Sequence, residues 1–515
     1  MPVSESNKNF SSTDIHRCRE ILEALVKDRR LLSALPKEER VALVTAAGRL
    51  SRPDRLEQMR LAKRVRKDRR IVLRDEDRRT RAKSQIREVR EEAVFEAPKQ
   101  ILTADDSYRP LNEPRNCYVC KESFQKLHHF YDSMCPNCAE FNYAKRFETV
   151  DLRGRVALVT GSRVKIGYQA ALKLLRAGAR VISTTRFPHD AAERYSKEKD
   201  YADWSDRLQI HGLDLRHSPS VEVFARHLDT TLDRLDFICH NAAQTVRRPP
   251  GWSAHLLEKE ALPVTSLSDE QRKLLVDREA LRGALGGIPK LPTSEDFRTQ
   301  RALSVGQEGE VGIGLRASAH LSQIPISIDD AQLGREVFPV GSLDADLQQV
   351  DLRKTNTWRL GLAEVETAEM VEVHLINAFA PFILNARLRS LMDRDRTGDK
   401  HIVNVSAMEG IFSRGTKTDK HPHTNMAKAA LNMMTLTSAP DYLKSGIHMN
   451  AVDTGWVTDE DPVHHSVRKQ AVHDFQPPLD IVDGAARICD PFIDGLRTGE
   501  HTWGKFLKDY KPSAW

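Results

Sequence analysis

Apolar positions recur along this chain with several rhythms, and each rhythm predicts a different kind of element. Val156, Ala157, Leu158 and Val159 form an unbroken apolar run, as expected of a strand covered on both faces. The run breaks at Thr160-Gly161, after which Ala170, Ala171, Leu174 and Leu175 recur at helical spacing. Gly178 stands where a helix takes a left-handed stop, and residues 180–185 read as a second strand. A strand, a tight glycine turn, a helix and a strand therefore follow in order. Such a turn brings the helix N-terminus to the carboxyl end of the first strand, where backbone N–H groups and the helix dipole attract phosphate.

The N-terminal part has a looser rhythm. Residues 1–12 are polar and predict no order. Ile21, Leu22, Leu25 and Val26, then Leu31, Leu32 and Leu35, recur at helical spacing. Residues 54–96 are dense in Arg and Glu, with Leu56, Met59, Leu61 and Val65 among their sparse apolar positions. This predicts largely solvated helices, with an apolar stripe left to pair with another helix or a protein partner. Farther on, residues 252–287 have helical character through Leu256, Leu257, Leu274, Leu275 and Leu281. Residues 288–345 are rich in Pro, Gly and Ser, with short apolar runs at 311–315 and 324–328, and read as loop with short strands.

Composition changes this picture in three respects. A length of 515 residues predicts two to four domains. The net charge of +6 is unevenly placed, because residues 12–100 hold 25 Lys and Arg against 16 Asp and Glu. Acids are interleaved with those bases throughout, which favours a salt-bridged solvent face over a nucleic-acid surface. No apolar run approaches 18 residues and the N-terminus lacks basic-then-apolar order, so neither a membrane span nor a signal peptide is expected.

Seven cysteines, four of them clustered, predict a reduced compartment with a metal site rather than a disulfide framework. The cytosol is the default, with the nucleus left open. Cys117-Tyr-Val-Cys120 is followed after fourteen residues by Cys135-Pro-Asn-Cys138. Two such pairs suit a tetrahedral Zn²⁺ held by four thiolates, and a closed shell of four protein ligands makes the metal structural. His128 and His129 lie between the pairs, but the four cysteines already complete the shell. Phe124, Phe130, Tyr131, Phe141 and Tyr143 are the candidates for a small core. A module of this kind presents a surface to a partner or to its own neighbouring domain.

Several further segments occur in a telling order. They are Thr160-Gly161-x₄-Ile166-Gly167, Leu213-Asp214-Leu215, Asn241-Ala242-Ala243, Asn377-Ala-Phe-Ala-Pro381, Asn425-Met-Ala-Lys428 and Asn450-x₄-Gly455. Together they resemble the short-chain dehydrogenase/reductase family over roughly 153–246 and 370–500. The resemblance implies an α/β fold with a doubly wound parallel Rossmann sheet. It implies a dinucleotide cradled by Gly161, Ser162, Arg163, Lys165, Ile166 and Gly167, with Asp214, Leu215, Asn241 and Ala242 beside it. Lys428 would hold the nicotinamide ribose, and Asn377 a proton-relay water. Lys165 replaces the usual glycine, as in the pteridine-reductase branch, and Thr454 replaces a usual proline. The second strand ends in Thr184-Thr185-Arg186 with no acid for a ribose 2′-hydroxyl. Arg186, with Arg163 and Lys165, instead suits a 2′-phosphate, so NADP(H) is favoured over NAD(H).

Two family positions depart from the pattern. Thr424 stands where the proton-donating tyrosine belongs, four residues before Lys428, and Ala407 where the substrate-binding serine belongs. His423 is adjacent to Thr424 but about 100° away around a helix. Asn241 and Asn377 are 136 positions apart, far more than the family's two dozen, so residues 247–365 contain an insertion that is either a lid or an interaction loop. The insertion carries no tyrosine; its histidines are His255 and His320. Asp459, Glu460 and Asp461 either favour a cationic substrate or form a solvated loop.

The expected plan is a charged helical arm (1–100), a zinc module (110–148) and a Rossmann domain (151–515). The expected activity is an atypical oxidoreductase acting on a small carbonyl or imine, with a non-catalytic nucleotide sensor or zinc-module adaptor as the alternative. The resemblance also implies dimers or tetramers formed through two surface helices.

Overall fold

The computed structural model describes residues 10–101, 110–285, 312–325 and 336–515. Two compact units divide between Glu76 and Asp77. The first holds α1 (Ser12–Lys27), α2 (Lys37–Ser51) and most of α3 (Arg55–Ala82). Ser11 and Asp14 form a reciprocal capping box at the start of α1. No residue of α1 or α2 is buried.

The helical arm had been expected to run to residue 100, but α4 (Gln85–Glu91) packs into the second unit. Ile86 is drawn into the core around Phe130, because its side chain offers apolar area that the solvated arm cannot bury, and Val89 is buried as well. β1 (Pro110–Asn116) and β2 (Ser123–Lys126) form an antiparallel hairpin enclosing Cys117 and Cys120. Cys135 is the N-cap of α5 (Pro136–Phe147), which carries Cys138. Phe124, Phe130, Tyr131 and Tyr143 are buried as expected. Phe141 is instead 44% exposed and meets the Tyr510 ring edge-on.

The main sheet follows. Its strands are β3 (Val156–Thr160), β4 (Arg180–Thr185), β5 (Leu208–Gly212), β6 (Phe237–His240), β7 (Lys400–Ser406), β8 (Ile447–Asp453), β9 (Phe506–Lys508) and β10 (Lys511–Ser513). The spatial order is β10-β9-β8-β7-β6-β3-β4-β5, parallel except for the terminal β9–β10 hairpin. Every residue of β3, β7 and β8 is buried; β3 accordingly reads as a continuous apolar run, whereas β7 and β8 also bury polar residues such as His401, Asn404, His448 and Asn450. The winding reverses between β3 and β6, and the crevice at their carboxyl ends is where such sheets bind ligands.

Helices α6 (Lys165–Arg176), α7 (Pro188–Ser196) and α8 (Ser218–Thr231) connect the first strands. The insertion adds α9 (Ala254–Glu260), α10 (Asp269–Lys273), α11 (Val276–Ala284), α12 (Ile313–Arg316) and α13 (Ser318–Leu321). The helical expectation for 252–287 therefore holds through residue 285. The short strand expected at 311–315 is a helical turn from Ile313: Gly312, at φ +90°, starts it, and Leu315 is buried. Val311 and residues 326–328 lie outside the described residues.

α14 (Thr367–His374) continues through a π turn, Leu375–Phe379, into α15 (Ala380–Asp393). This stretch has the length and hydropathy of a membrane span by composition. Leu384, Leu388 and Leu391 share one buried cluster with Phe224 and Leu228 of α8, the packing of a core helix. α16 (Pro422–Leu443), α17 (Val463–His473) and α18 (Ile481–Thr498) complete the fold, α18 packing beside α6 on the opposite face.

Candidate functional site

The glycine turn between β3 and α6 is built as its residues require. Gly161 has φ +67°, and a Cβ there would stand 2.8 Å from Ala242 Cα. Asn241 Nδ2 donates to the carbonyls of Thr160 (3.1 Å) and Gly161 (3.0 Å), and Ala242 N–H donates to the Thr160 hydroxyl (3.1 Å). Asn241 and Ala242 thus brace the turn from the next strand. Lys165 has φ +56°, a left-handed conformation that costs a non-glycine residue about 1 kcal/mol and accounts for the family's glycine at this place. Ser162 was expected beside the ligand. Its hydroxyl is spent inward instead, on Ser183 Oγ (2.5 Å) and the Val159 carbonyl (3.2 Å).

A cleft of about 650 Å³ opens over this turn. Gly161, Lys165, Ile166, Arg186, Leu215 and Ala242 are among its walls. Arg163, expected to share a 2′-phosphate, is committed to Asp190 at 2.7 Å. Arg186 is half-buried and makes no ion pair among the described residues; its guanidinium lies 5.5 Å from the Phe187 ring centroid. Burial, reinforced by Arg216, holds its pKa below the usual value, so a bound anion would be favoured there. Asp214, expected near adenine, turns its carboxylate to Arg216 at 2.7 Å. Burial alone would raise that carboxyl, but Arg216 outweighs it and holds the pKa below the ordinary range.

The insertion walls the cleft from outside. Arg194 donates to the Asp346 and Leu347 carbonyls at 2.9 and 3.0 Å, Arg163 reaches Gln348 at 3.4 Å, and Trp252 Nε1 donates to Gln349 O at 2.7 Å. Asp346 stands 4.0 Å from Lys165. The Gly314 carbonyl accepts the Asp214 N–H at 2.9 Å. Of the acids expected to select a cation, Asp459 and Asp461 are both paired to Lys469 (2.6 and 3.0 Å), and Asp461 also to Arg359 (3.0 Å). Their charge is already neutralised.

The family's catalytic positions lie deeper. Lys428 is buried and donates to the Val405 carbonyl at 2.7 Å. Burial, opposed by Glu409 and Asp453, pushes its pKa down to about 8. Thr424 is 1% exposed, and its hydroxyl has no partner among the described residues. Ser406 donates to Asn432 Oδ1 at 2.6 Å, so it does not replace the serine missing at Ala407. His423 Nε2 lies 3.4 Å from Glu369 on α14. Asn377, expected to hold a water, clasps the Gln244 backbone, accepting from its N–H (2.7 Å) and donating to its carbonyl (3.0 Å). That clasp is set in the π turn, a distortion frequent at functional sites. Glu372 ties the same loop, taking Gln244 Nε2 at 2.8 Å and Arg216 on its other oxygen. Sequence reasoning missed Glu372 and Arg216 because their pairing spans 156 positions.

A neutral side chain at 428 should stabilise the fold. A lysine pKa depressed from 10.5 to about 8 means the unfolded chain binds more protons between those values, so stability rises with pH across that window. Lys428→Met should therefore gain about 1–2 kcal/mol at pH 7. The gain should shrink above pH 8, as measured by urea unfolding at several pH values; a loss at pH 7 would contradict it.

The four cysteine sulfurs lie within 4.8 Å of one another, with Cys120 and Cys135 3.7 Å apart. A tetrahedral shell with Zn–S bonds of about 2.3 Å requires sulfurs about 3.8 Å apart, so the donor set fits zinc. His128 is turned to Glu140 at 3.3 Å instead.

Residues 155–260 match the family profile described as "short chain dehydrogenase", and residues 353–474 the one described as "Enoyl-(Acyl carrier protein) reductase". Uncharacterized protein R665 of Acanthamoeba polyphaga mimivirus is 28% identical over 406 residues, 76% of this chain and 74% of that protein. The Drosophila melanogaster WW domain-containing oxidoreductase is 28% identical over 148 residues, 28% of this chain and 34% of that protein. Human dehydrogenase/reductase SDR family member 13 is 36% identical over 92 residues, 18% of this chain and 24% of that protein. These two are matched over about a third or less of their length. Among solved structures, the Pseudomonas aeruginosa RhlG/NADP active-site complex aligns with TM-score 0.40 and 15% identity, over 69% of this chain and 95% of that one. With the doubly wound sheet, the braced glycine turn and both profile matches in order, the Rossmann part of the chain is of the short-chain dehydrogenase/reductase type, a family of oxidoreductases that work with a nicotinamide dinucleotide.

Proposed function

We propose that this chain binds NADP(H) in the β3–β6 cleft and is an atypical reductase of a small carbonyl or imine compound. The observation that carries the cofactor preference is Arg186, a half-buried guanidinium in the cleft wall that makes no ion pair among the described residues, with Asp214 and Glu372 acting on it only from farther off. When bound, the dinucleotide supplies hydride. Gly161, Lys165 and the N-terminus of α6 would face its phosphates, and Lys428 would hold the nicotinamide ribose. Neither Thr424 nor Ala407 can donate a proton near neutrality. The carbonyl oxygen would then be protonated by solvent or by the substrate itself, a loss of about 10²–10⁴ in rate relative to a positioned acid.

A second reading, a nucleotide sensor without turnover, is favoured by the burial of Thr424 and Lys428 and by their absence from the cleft wall. One experiment separates the two. NADPH and NADH are titrated by fluorescence on the purified chain, and carbonyl, imine, quinone and pterin compounds are then added in the same cuvette. Binding with cofactor oxidation supports the reductase, and binding without oxidation across all classes supports the sensor. If neither nucleotide binds, both readings fail.

The four cysteines are read as a structural zinc site. Cys135→Ala should lose the metal, measured by elemental analysis, and lower the midpoint of thermal unfolding. An unchanged zinc content would overturn that assignment. Exposed Phe379, Phe382, Met426 and Met433 on α15, its preceding turn and α16 are proposed as a self-association face, in a protein of the cytosol.

A further inference from the structure

Two lines of contact run from the four-cysteine module to the cleft. The first starts at Tyr118, between Cys117 and Cys120. Its backbone N–H donates to the Ser133 carbonyl at 2.8 Å, so both halves of the module set its position. Its hydroxyl accepts the Trp456 N–H at 3.0 Å and would lie 3.1 Å from a Cβ on Gly455. Gly455 and Trp456 open the segment that the family places beside the nicotinamide, and its continuation, Thr458 to Val463, lines the cleft.

The second line starts at Asp132, three residues before Cys135. Arg87 bridges Asp132 at 2.7 Å and Asp474 at 2.7 Å. Asp474 ends α17 in a left-handed conformation, at φ +50°. Segment 456–474 is thus tied to the module at both ends, while Asn356 and Arg359 of the insertion hold its middle. α17 itself buries no residue, so these ties rather than core packing keep it in place. Val457 shares the module's apolar core with Cys117 and Phe130, and Ile166 of the glycine turn packs against that core. The module therefore backs both loops that face the cleft.

We propose that metal binding at Cys117, Cys120, Cys135 and Cys138 sets the affinity of the cleft for its dinucleotide, by holding segment 456–474 in place. The proposal rests on the zinc and NADP(H) readings above. Small thiolate modules lose their fold with their metal, because the core alone is too small to order the knuckles. Loss of that order frees Tyr118 and Asp132, and a segment with no buried helix residues then populates positions away from the cleft. Linkage makes the coupling reciprocal, so bound NADPH should slow metal loss.

The test uses the full chain as purified. Zinc is quantified, removed with a chelator and restored, and each state is examined by NADPH titration, circular dichroism and limited trypsin digestion. The expected result is at least tenfold weaker NADPH binding after removal, with new cleavage at Arg468 and Lys469, both reversed by Zn²⁺. Tyr118→Phe keeps the ring and removes only the acceptor. It should retain its zinc and bind NADPH about three- to tenfold more weakly, the worth of one hydrogen bond. Stripped protein that binds NADPH as before overturns the proposal. If stripping unfolds the whole chain, Tyr118→Phe decides, and unchanged affinity there overturns it. A chain that holds no zinc also overturns it, by failure of the metal reading. A zinc-loaded chain that binds no NADPH does so by failure of the cofactor reading.

Discussion

Arg146→Ala should lower the unfolding free energy of this chain by about 3–5 kcal/mol. The Arg146 side chain is fully buried on α5. It reaches both oxygens of Asp480, at 2.7 and 2.9 Å, and Asp483 at 2.9 Å, and stands over the Phe130 ring at 4.3 Å. Asp480 is the N-cap of α18 and forms a reciprocal box with Asp483, which also accepts the Tyr131 hydroxyl. Removing the guanidinium takes from two interior carboxylates the cation that pairs with them directly, leaving only the more distant Arg90 and Arg487. That costs far more than the pair itself contributes.

The sign with pH follows. In the parent chain burial would raise Asp480, but Arg146 outweighs it and holds the pKa below its ordinary value, so that stability is lost as pH falls. In the variant the folded pKa rises instead, and acid relieves the strain. The deficit between the two proteins should therefore narrow below about pH 5. Urea unfolding at pH 7 and pH 4.5 checks both statements. A deficit that is equal at the two pH values would show that the loss comes from packing over Phe130 alone.

Arg186→Ala should weaken NADPH about 10- to 100-fold while leaving NADH unchanged. Charge-assisted hydrogen bonds to a phosphate are worth about 1.5–3 kcal/mol, and NADH has no group at that place to lose them. The contrast with Arg163 sharpens the test. Arg163 is already bound to Asp190, which also holds Arg194 at 2.7 Å and Lys259 at 3.0 Å. Arg163→Ala should act on stability and on both nucleotides alike. The measurement is a pair of fluorescence titrations on each variant. Equal losses for NADPH and NADH in Arg186→Ala would remove the basis of the cofactor preference.

Much of the architecture was written locally. The apolar run at 156–159, the glycine at 161 and the small apolar helix face at 170–175 each specify their own conformation, so β3, the turn and α6 were legible without any distant contact. The CxxC pairs were equally plain, because each knuckle is a tight turn whose metal-ligand spacing lies within a few residues. The family's missing tyrosine was visible at Thr424 for the same reason: its place is defined by short spacing from Lys428.

What local pattern left open depends on pairs distant along the chain. Which of Arg163 and Arg186 is held in an ion pair was decided by Asp190, 27 positions from Arg163. Ser162, Asp214 and Asn377 were assigned to the ligand by motif, yet folding turned their polar atoms to Ser183, Arg216 and Gln244. The insertion's composition said nothing of its position. Trp252, Arg194 and Lys165 fix residues 346–349 against the cleft through contacts that no periodicity encodes. The mounting of segment 456–474 on the cysteine module joins residues more than 330 positions apart. Residues near in sequence set backbone conformation through sterics and short hydrogen bonds. Which buried charge meets which partner is chosen only when the packed core brings distant elements together and removes the water that would otherwise satisfy them.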